Sequence, residues 1–236
     1  RQHKNPMAKK TFFIAGTDTD VGKTLIAAGL LVAAKNHGLS TSALKPIAAG
    51  CEKTDAGLRN SDALILQSVI TQPVAYEQIN PIALEAAIAP HIAAQQKKRV
   101  LSADRIVGFC RGSLNQADFT LIEGAGGWRV PLNPQETMAD VAKLLRLPVI
   151  LVVGMRLGCI SHALLTVEAI RNDGLQLAGW VANCIDVDMT VLQENIQSLA
   201  ARIPAPCLGV VPRLDKADPE LAASALDADA LAGLFN

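Results

Sequence analysis

The run Gly16-Thr17-Asp18-Thr19-Asp20-Val21-Gly22-Lys23-Thr24 follows directly on the apolar stretch Phe12-Phe13-Ile14-Ala15. This order of strand, glycine-bounded loop and Gly-Lys-Thr helix start constrains the fold more than anything else in the chain. Its glycines let backbone N–H groups curl toward a phosphate. Lys23 then reaches the outer phosphates, and the Thr24 hydroxyl is a ligand for Mg²⁺. The positive end of the helix dipole favours the same anion. The loop is one residue longer than usual. Five residues, Thr17 to Val21, separate Gly16 from Gly22-Lys23-Thr24, where the common pattern has four, and Asp18 and Asp20 lie among them.

Strand-like and helix-like segments alternate through the rest of the chain. The pattern predicts strands at 11–15, 41–44, 119–122, 148–153, 177–182 and 207–210. It predicts helices at 23–36 (stopped by Gly38), 61–69, 103–114, 139–145, 161–172 and 191–202. The proline-bearing segment 72–90 reads as irregular. Such alternation implies right-handed crossovers and an α/β fold: a single-domain, P-loop NTPase-like unit whose mostly parallel sheet has helices on both faces. Residues 7–236 are expected to form that domain. Residues 1–6 read as a tag or disordered tail, and Met7 as a natural start.

Composition narrows the class. Hydrophobic residues make up 50% and aromatics only 3%. That describes an aliphatic, Ala-rich core rather than disorder. The formal net charge is +0, so no basic excess draws nucleic acid or an anionic membrane. The five cysteines, Cys51, Cys110, Cys159, Cys184 and Cys207, are scattered, which fits reduced thiols in the cytoplasm. The apolar run 147–153 is too short to span a bilayer.

Polar motifs recur where predicted strands end, which is where ligands sit on parallel sheets. Lys45-Pro46 closes the second strand and points a cation toward the phosphates. Asp62 begins a helix, where an acid also serves as an N-cap, and Glu123 ends an apolar strand. With Thr24 these two acids form an oxygen set suited to Mg²⁺. Gly124-Ala125-Gly126-Gly127 permits close backbone approach to a ligand. The Gly154–Ser161 loop opens a helix. Asn183 and Pro212-Arg213-Leu214 follow the last strands, where an amide and an apolar slot suit a purine. His37, His91 and His162 lack metal-like spacing, and no Gly-x-Ser-x-Gly elbow occurs.

Six segments together resemble the ATP-dependent dethiobiotin synthetase family. They are the phosphate loop, Lys45-Pro46-Ile47-Ala48-Ala49-Gly50, Arg59-Asn60-Ser61-Asp62-Ala63, Glu123-Gly124-Ala125-Gly126-Gly127, Pro148 to Cys159, and Gly179-Trp180-Val181-Ala182-Asn183. The match runs in order from about residue 11 to 220. The resemblance implies a cytoplasmic homodimer of biotin synthesis. It implies that 7,8-diaminononanoate, CO₂ (or bicarbonate) and ATP, with Mg²⁺, give dethiobiotin, ADP and phosphate.

By family position Lys23 and Lys45 are catalytic, and Thr24, Asp62 and Glu123 hold Mg²⁺. Asp20, Val21, Gly22, Lys23, Thr24 and Leu25, with Gly124, Ala125 and Gly126, surround the nucleotide. Asn183, Cys184, Pro212, Arg213 and Leu214 line the adenine. Thr19, Lys45, Ala49 and Gly126 meet the diamine. The partner subunit's 157–161 loop, with Cys159, Ile160 and Ser161, receives its carboxylate.

Four positions depart from the family pattern. Ala49 replaces a Ser, Asp20 a Glu and Ser161 an Asn, and Arg213 stands where an aromatic can occur. None removes a group the chemistry requires. Two alternatives remain at this level. A related amidoligase would carry a glutaminase domain, for which 236 residues are expected to leave no room. A nucleotide-switch ATPase would usually carry a second lysine inside the loop, and Thr17 to Val21 has none.

Overall fold

The computed structural model describes residues 8–236; the expectations for residues 1–6 and Met7 lie outside them. Strand β1 (Lys10–Gly16) enters the phosphate loop and helix α1 (Lys23–Asn36) leaves it. Then come β2 (Thr41–Leu44), a short β3 (Ile47–Ala48), a hairpin of β4 (Glu52–Thr54) and β5 (Gly57–Arg59), α2 (Ser61–Val69), α3 (Tyr76–Ile79), β6 (Ile82–Ala83), α4 (Pro90–Gln96) and α5 (Ala103–Arg111). The second half alternates regularly: β7 (Phe119–Glu123), α6 (Met138–Leu145), β8 (Val149–Met155), α7 (Cys159–Asn172), β9 (Leu177–Cys184), α8 (Leu192–Arg202) and β10 (Cys207–Val211). Helices α9 (Pro219–Ser224) and α10 (Ala228–Phe235) close the chain.

The central sheet has six strands in the order β10-β9-β8-β1-β7-β2, and every neighbouring pair is parallel. Both faces are covered, so its strands are apolar at successive residues. Strand alternation splits them between two cores. Phe13, Ala15, Leu151 and Val153 pack under α4–α8, whereas Phe12, Ile14, Ile150 and Val152 pack under α1, α9 and α10.

The sheet order builds the site. The chain runs from β1 out to the edge strand β2, then returns to place β7 between them. The carboxyl end of β7 is therefore flanked by the phosphate loop on one side and by the residue after β2 on the other. Glu123, in register with Ile14 of β1, stands between Thr24 and Lys45.

The predicted core elements are present, with shifts at their ends. The 161–172 helix begins at Cys159, because Gly158 adopts φ +94 and lets the turn start earlier. The 103–114 helix ends at Arg111. Segment 72–90, read as irregular, holds α3 and β6. Asp62 is not the cap of α2: Asn60 takes that place, its side-chain oxygen accepting from Ala63 N at 3.1 Å. This frees the Asp62 carboxylate to face the cavity.

Candidate active site at the carboxyl ends of β1, β2 and β7

Gly22 sits at φ +86 immediately before α1, a left-handed conformation that suits glycine. Space dictates it as well: a Cβ there would lie 2.2 Å from the amide nitrogen of Asn183. That amide, at the end of β9, donates to the Val21 carbonyl at 2.8 Å. The phosphate loop is thus pinned from across the sheet.

The acidic insertion has its own anchor. The Asp18 carboxylate accepts from Thr19 N at 2.8 Å and from Arg156 Nη2 at 2.6 Å. Thr17 N donates to the Val152 carbonyl at 3.1 Å. The extra length is held against the end of β8, leaving Thr19 and Asp20 exposed at the cavity.

Four charged groups converge at the floor. Glu123, 1% exposed, accepts from Thr24 Oγ1 at 2.8 and 3.0 Å and from Lys45 Nζ at 2.9 Å. Lys45, itself buried, also lies 3.7 Å from Asp62 Oδ2 and 3.4 Å from the Gly124 carbonyl. Burial alone would pull the Lys45 ammonium down, but Glu123 and then Asp62 outweigh it and hold its pKa above the usual lysine value. Lys23 goes the other way. Burial lowers its pKa, with Lys45 adding to the effect, and Glu123, Asp62 and Asp20 only partly oppose it. Lys23 is a buried cation with no ion-pair partner among the described residues, and an arriving phosphate would supply one.

These groups open into one cavity of about 770 Å³. Of the residues singled out from the sequence, Thr19, Asp20, Gly22, Lys23, Thr24, Lys45, Ala49, Asp62, Glu123, Ala125 and Gly126 line it. Val21, Leu25 and Gly124 stand beside lining residues in the chain. Asn183, Cys184, Pro212, Arg213 and Leu214 lie at the ends of β9 and β10, outside this cavity; Arg213 Nη1 donates to the Ile185 carbonyl. Cys159, Ile160 and Ser161 form the first turn of α7 and do not reach the cavity of their own chain.

The structure adds an apolar wall that the sequence reading missed. Ile47 and Ala48 of β3, the 87–90 segment that leads into α4, and Val130-Pro131 face the polar floor. Strand β3 pairs with β6, which brings residue 82 beside residue 47. Asn60 and Arg129 also line the cavity. Arg129 is gripped by Asp173 at 2.7 and 3.0 Å, and neighbouring Trp128 donates its indole N–H to Asp173 at 2.8 Å. No spacing rule links residues 44 positions apart, so nothing in the sequence signalled this pair.

The donor set also bears on a metal. Among the described residues, no cluster of three or more His, Cys, Asp or Glu side chains is placed to hold one. Thr24, Glu123 and Asp62 offer one hydroxyl and two carboxylates, all hard oxygen donors. Such a set suits Mg²⁺, which takes few protein ligands and completes its shell with water and substrate phosphates. Among the described residues, no helix is long and apolar enough to cross a membrane. The cysteines are all unpaired, and burial pushes the Cys110 thiol up to about 12.

Comparison with known proteins gives a consistent result. A family model described as an AAA domain matches residues 10–221. The ATP-dependent dethiobiotin synthetase BioD of Cellvibrio japonicus is 74% identical over 221 residues, covering 94% of this chain and 97% of the relative. The protein of the same name from Pseudomonas aeruginosa is 59% identical over 217 residues, covering 92% and 95%. Among solved structures, the MinC:MinD cell division protein complex of Aquifex aeolicus matches with a TM-score of 0.59 at 16% identity, over 96% of each chain. The cell division protein ftsY of Thermotoga maritima matches with a TM-score of 0.51 at 13% identity, over 98% of this chain and 70% of that one. These structural likenesses concern the fold alone.

Proposed function

The chain belongs to the ATP-dependent dethiobiotin synthetase family, and on that premise we propose how its cavity performs the ligase reaction. It is an ATP-dependent ligase of biotin biosynthesis, acting on diaminononanoate with ATP as co-substrate. The observation that carries the mechanism is the convergence of Lys23, Thr24, Lys45, Asp62 and Glu123 on one floor.

One amine of the substrate adds to CO₂ and loses a proton, giving a carbamate. A carbamate oxygen then attacks the γ-phosphorus of ATP, and the bond to ADP breaks. The second amine attacks the carbonyl carbon of the resulting carbamic-phosphoric anhydride. Phosphate leaves, a proton is lost, and the cyclic urea closes.

No enzyme nucleophile is needed, because the carbamate supplies one. The protein's part is alignment and charge neutralisation. Gly22 and the first turn of α1 hold the phosphates, and Lys23 pairs with them. Lys45 stays cationic next to Glu123 and faces the oxygens where negative charge gathers in the transfer. Thr19, Ala49 and Gly126 flank the diamine. Asn183, Cys184, Pro212, Arg213 and Leu214 sit where β9 and β10 end and would border the adenine. Thr24, Asp62 and Glu123 would hold Mg²⁺, which when bound offsets phosphate charge.

A homodimer would complete the site. Leu157 is 92% exposed and Leu165 63% exposed beside the first turn of α7. A second copy covering this face would bring Cys159, Ile160 and Ser161 to the substrate carboxylate of its neighbour. The balanced net charge and the unpaired, largely buried cysteines support a cytoplasmic setting.

The test is phosphate release with diaminononanoate and bicarbonate supplied singly and together. Release is expected only with both. ATP turnover indifferent to the diamine would overturn this reading in favour of a nucleotide switch.

A further inference from the structure

The loop after β7 forms part of the cavity wall through Ala125, Gly126 and Arg129. It contains Gly124, Gly126 and Gly127, and Gly126 adopts φ +64. Its near end is fixed by Gly124 N on the Ile14 carbonyl at 3.0 Å. Its far end is fixed by Trp128 and Arg129, and both are held by a single carboxylate, that of Asp173. Trp128 is buried edge-on to Phe13, with ring centroids 5.9 Å apart, and its indole N–H reaches Asp173 Oδ2 at 2.8 Å. Arg129 completes a two-pronged pair with the same carboxylate at 2.7 and 3.0 Å.

Asp173 stands at the C-terminal cap of α7, where the helix dipole disfavours an acid. Its side chain is only 9% exposed, against 50% for Arg129. Burial pushes the Asp173 carboxyl up, but the bonds from Arg129 and Trp128 outweigh it and hold it below the usual carboxylate range. A partly buried acid at the unfavourable end of a helix is held there by partners outside that helix, Trp128 and Arg129. The cavity already holds Lys23 and Lys45, and its expected occupant is a diamine whose amines arrive as cations. Lys45 is paired with Glu123 and Asp62; an unpaired guanidinium on the wall would add a positive charge that repels that substrate.

We propose that Asp173 is a positioning residue for the diamine site, neutralising Arg129 and holding it against α7 so that the cavity wall presents no free positive charge to the substrate amines. The proposal rests on the synthetase reading above. Its chemistry separates charge from support. Asp173→Asn keeps the oxygen shared by Trp128 and Arg129 Nη1 but removes the carboxylate charge and turns an N–H toward Arg129 Nη2, so the guanidinium is no longer neutralised. Arg129→Lys breaks the two-pronged pair and keeps the charge. Arg129→Ala removes the charge altogether.

The experiment is steady-state phosphate release by the full-length enzyme, with the diamine varied at saturating ATP and bicarbonate. We expect D173N to raise the diamine KM at least fivefold, with kcat and the KM for ATP within twofold of wild type. R129K should raise it more than R129A does, and the double variant D173N/R129A should recover at least half of the rise. A D173N enzyme with unchanged diamine KM overturns the assignment. So does a double variant as impaired as D173N, which would make the carboxylate a plain structural prop. Should D173N fail to fold, the order of R129K and R129A decides alone. A wild-type enzyme without diamine-dependent turnover would instead overturn the function reading, and this assignment with it.

Discussion

The two walls of the cavity are built on opposite principles. The polar floor comes from residues that end parallel strands, and sheet order forces them together: β7 lies between β1 and β2, so Glu123 must meet Thr24 and Lys45. The facing wall of Ile47, Ala48, the 87–90 segment and Val130-Pro131 comes from a two-residue pairing of β3 with β6 and from a glycine loop pinned by a distant carboxylate. The floor is held by charge and hydrogen bonds around a buried Glu. The wall has an apolar face, and it is held from behind by the β3–β6 pairing and by Asp173. A change to the floor should therefore act on the chemical step, and a change to the wall on recognition of the second substrate.

The largest expected effect tests the floor. Lys45→Ala should lower kcat by about a hundred- to a thousandfold, the usual cost of losing one preorganised electrostatic group. ATP binding, followed by calorimetry, should persist because Lys23 and the loop remain. Near-normal turnover would refute the role given to Lys45. Next is Gly22→Ala, which puts a Cβ into the Asn183 amide and a side chain at positive φ. It should cost about 1–3 kcal/mol of stability in thermal melts and weaken ATP binding in the same protein.

The wall comes third. Ala49→Ser adds a hydroxyl at the cavity edge, and one neutral hydrogen bond is worth about 1 kcal/mol. The diamine KM should change by about tenfold or less, with kcat nearly constant; an equal fall in kcat would blur the division between the walls.

The smallest effect lies at the far end of the sheet. Asp118 accepts from Ser40 N at 2.9 Å and Ser40 Oγ at 2.8 Å, and these bonds lower its pKa. A depressed acid stabilises the fold above its unfolded pKa of about 3.9 and loses that contribution as pH falls through the lower, folded value. Asp118→Asn should therefore melt slightly below wild type at neutral pH. The two proteins should converge in strong acid, and turnover should be unaffected. A gap that stayed constant with pH would show that the carboxylate charge is not involved.

The same division explains what the sequence revealed. The junction of β1 and α1, the ends of β2 and β7, and the clean run of β8 are written in short local patterns, and the parallel sheet followed from alternation; the strand order, with β7 between β1 and β2, did not. The pairing of β3 with β6 joins residues 35 apart through two positions each, too short for any periodicity to show. Arg129 and Asp173 are 44 apart and meet only after α7 has packed. Helices α9 and α10 carried signals that went unread. Asp218, just before Pro219, caps the first through Glu220 N and Leu221 N, and Asp227 caps the second through Ala230 N. For the site, the residues of the floor stood out in the sequence, whereas Asn60, named only within the Arg59–Ala63 segment and given no role in the site, caps α2 and lines the cavity.

The account stands on the floor aligning a substrate-borne nucleophile rather than activating water. Turnover with freshly dissolved ¹⁸O-labelled CO₂ measures this directly, by mass spectrometry of the released phosphate. If the carbamate oxygen attacks the γ-phosphorus, ring closure breaks its bond to carbon and the phosphate carries one ¹⁸O. Phosphate that takes its new oxygen from solvent would contradict the mechanism.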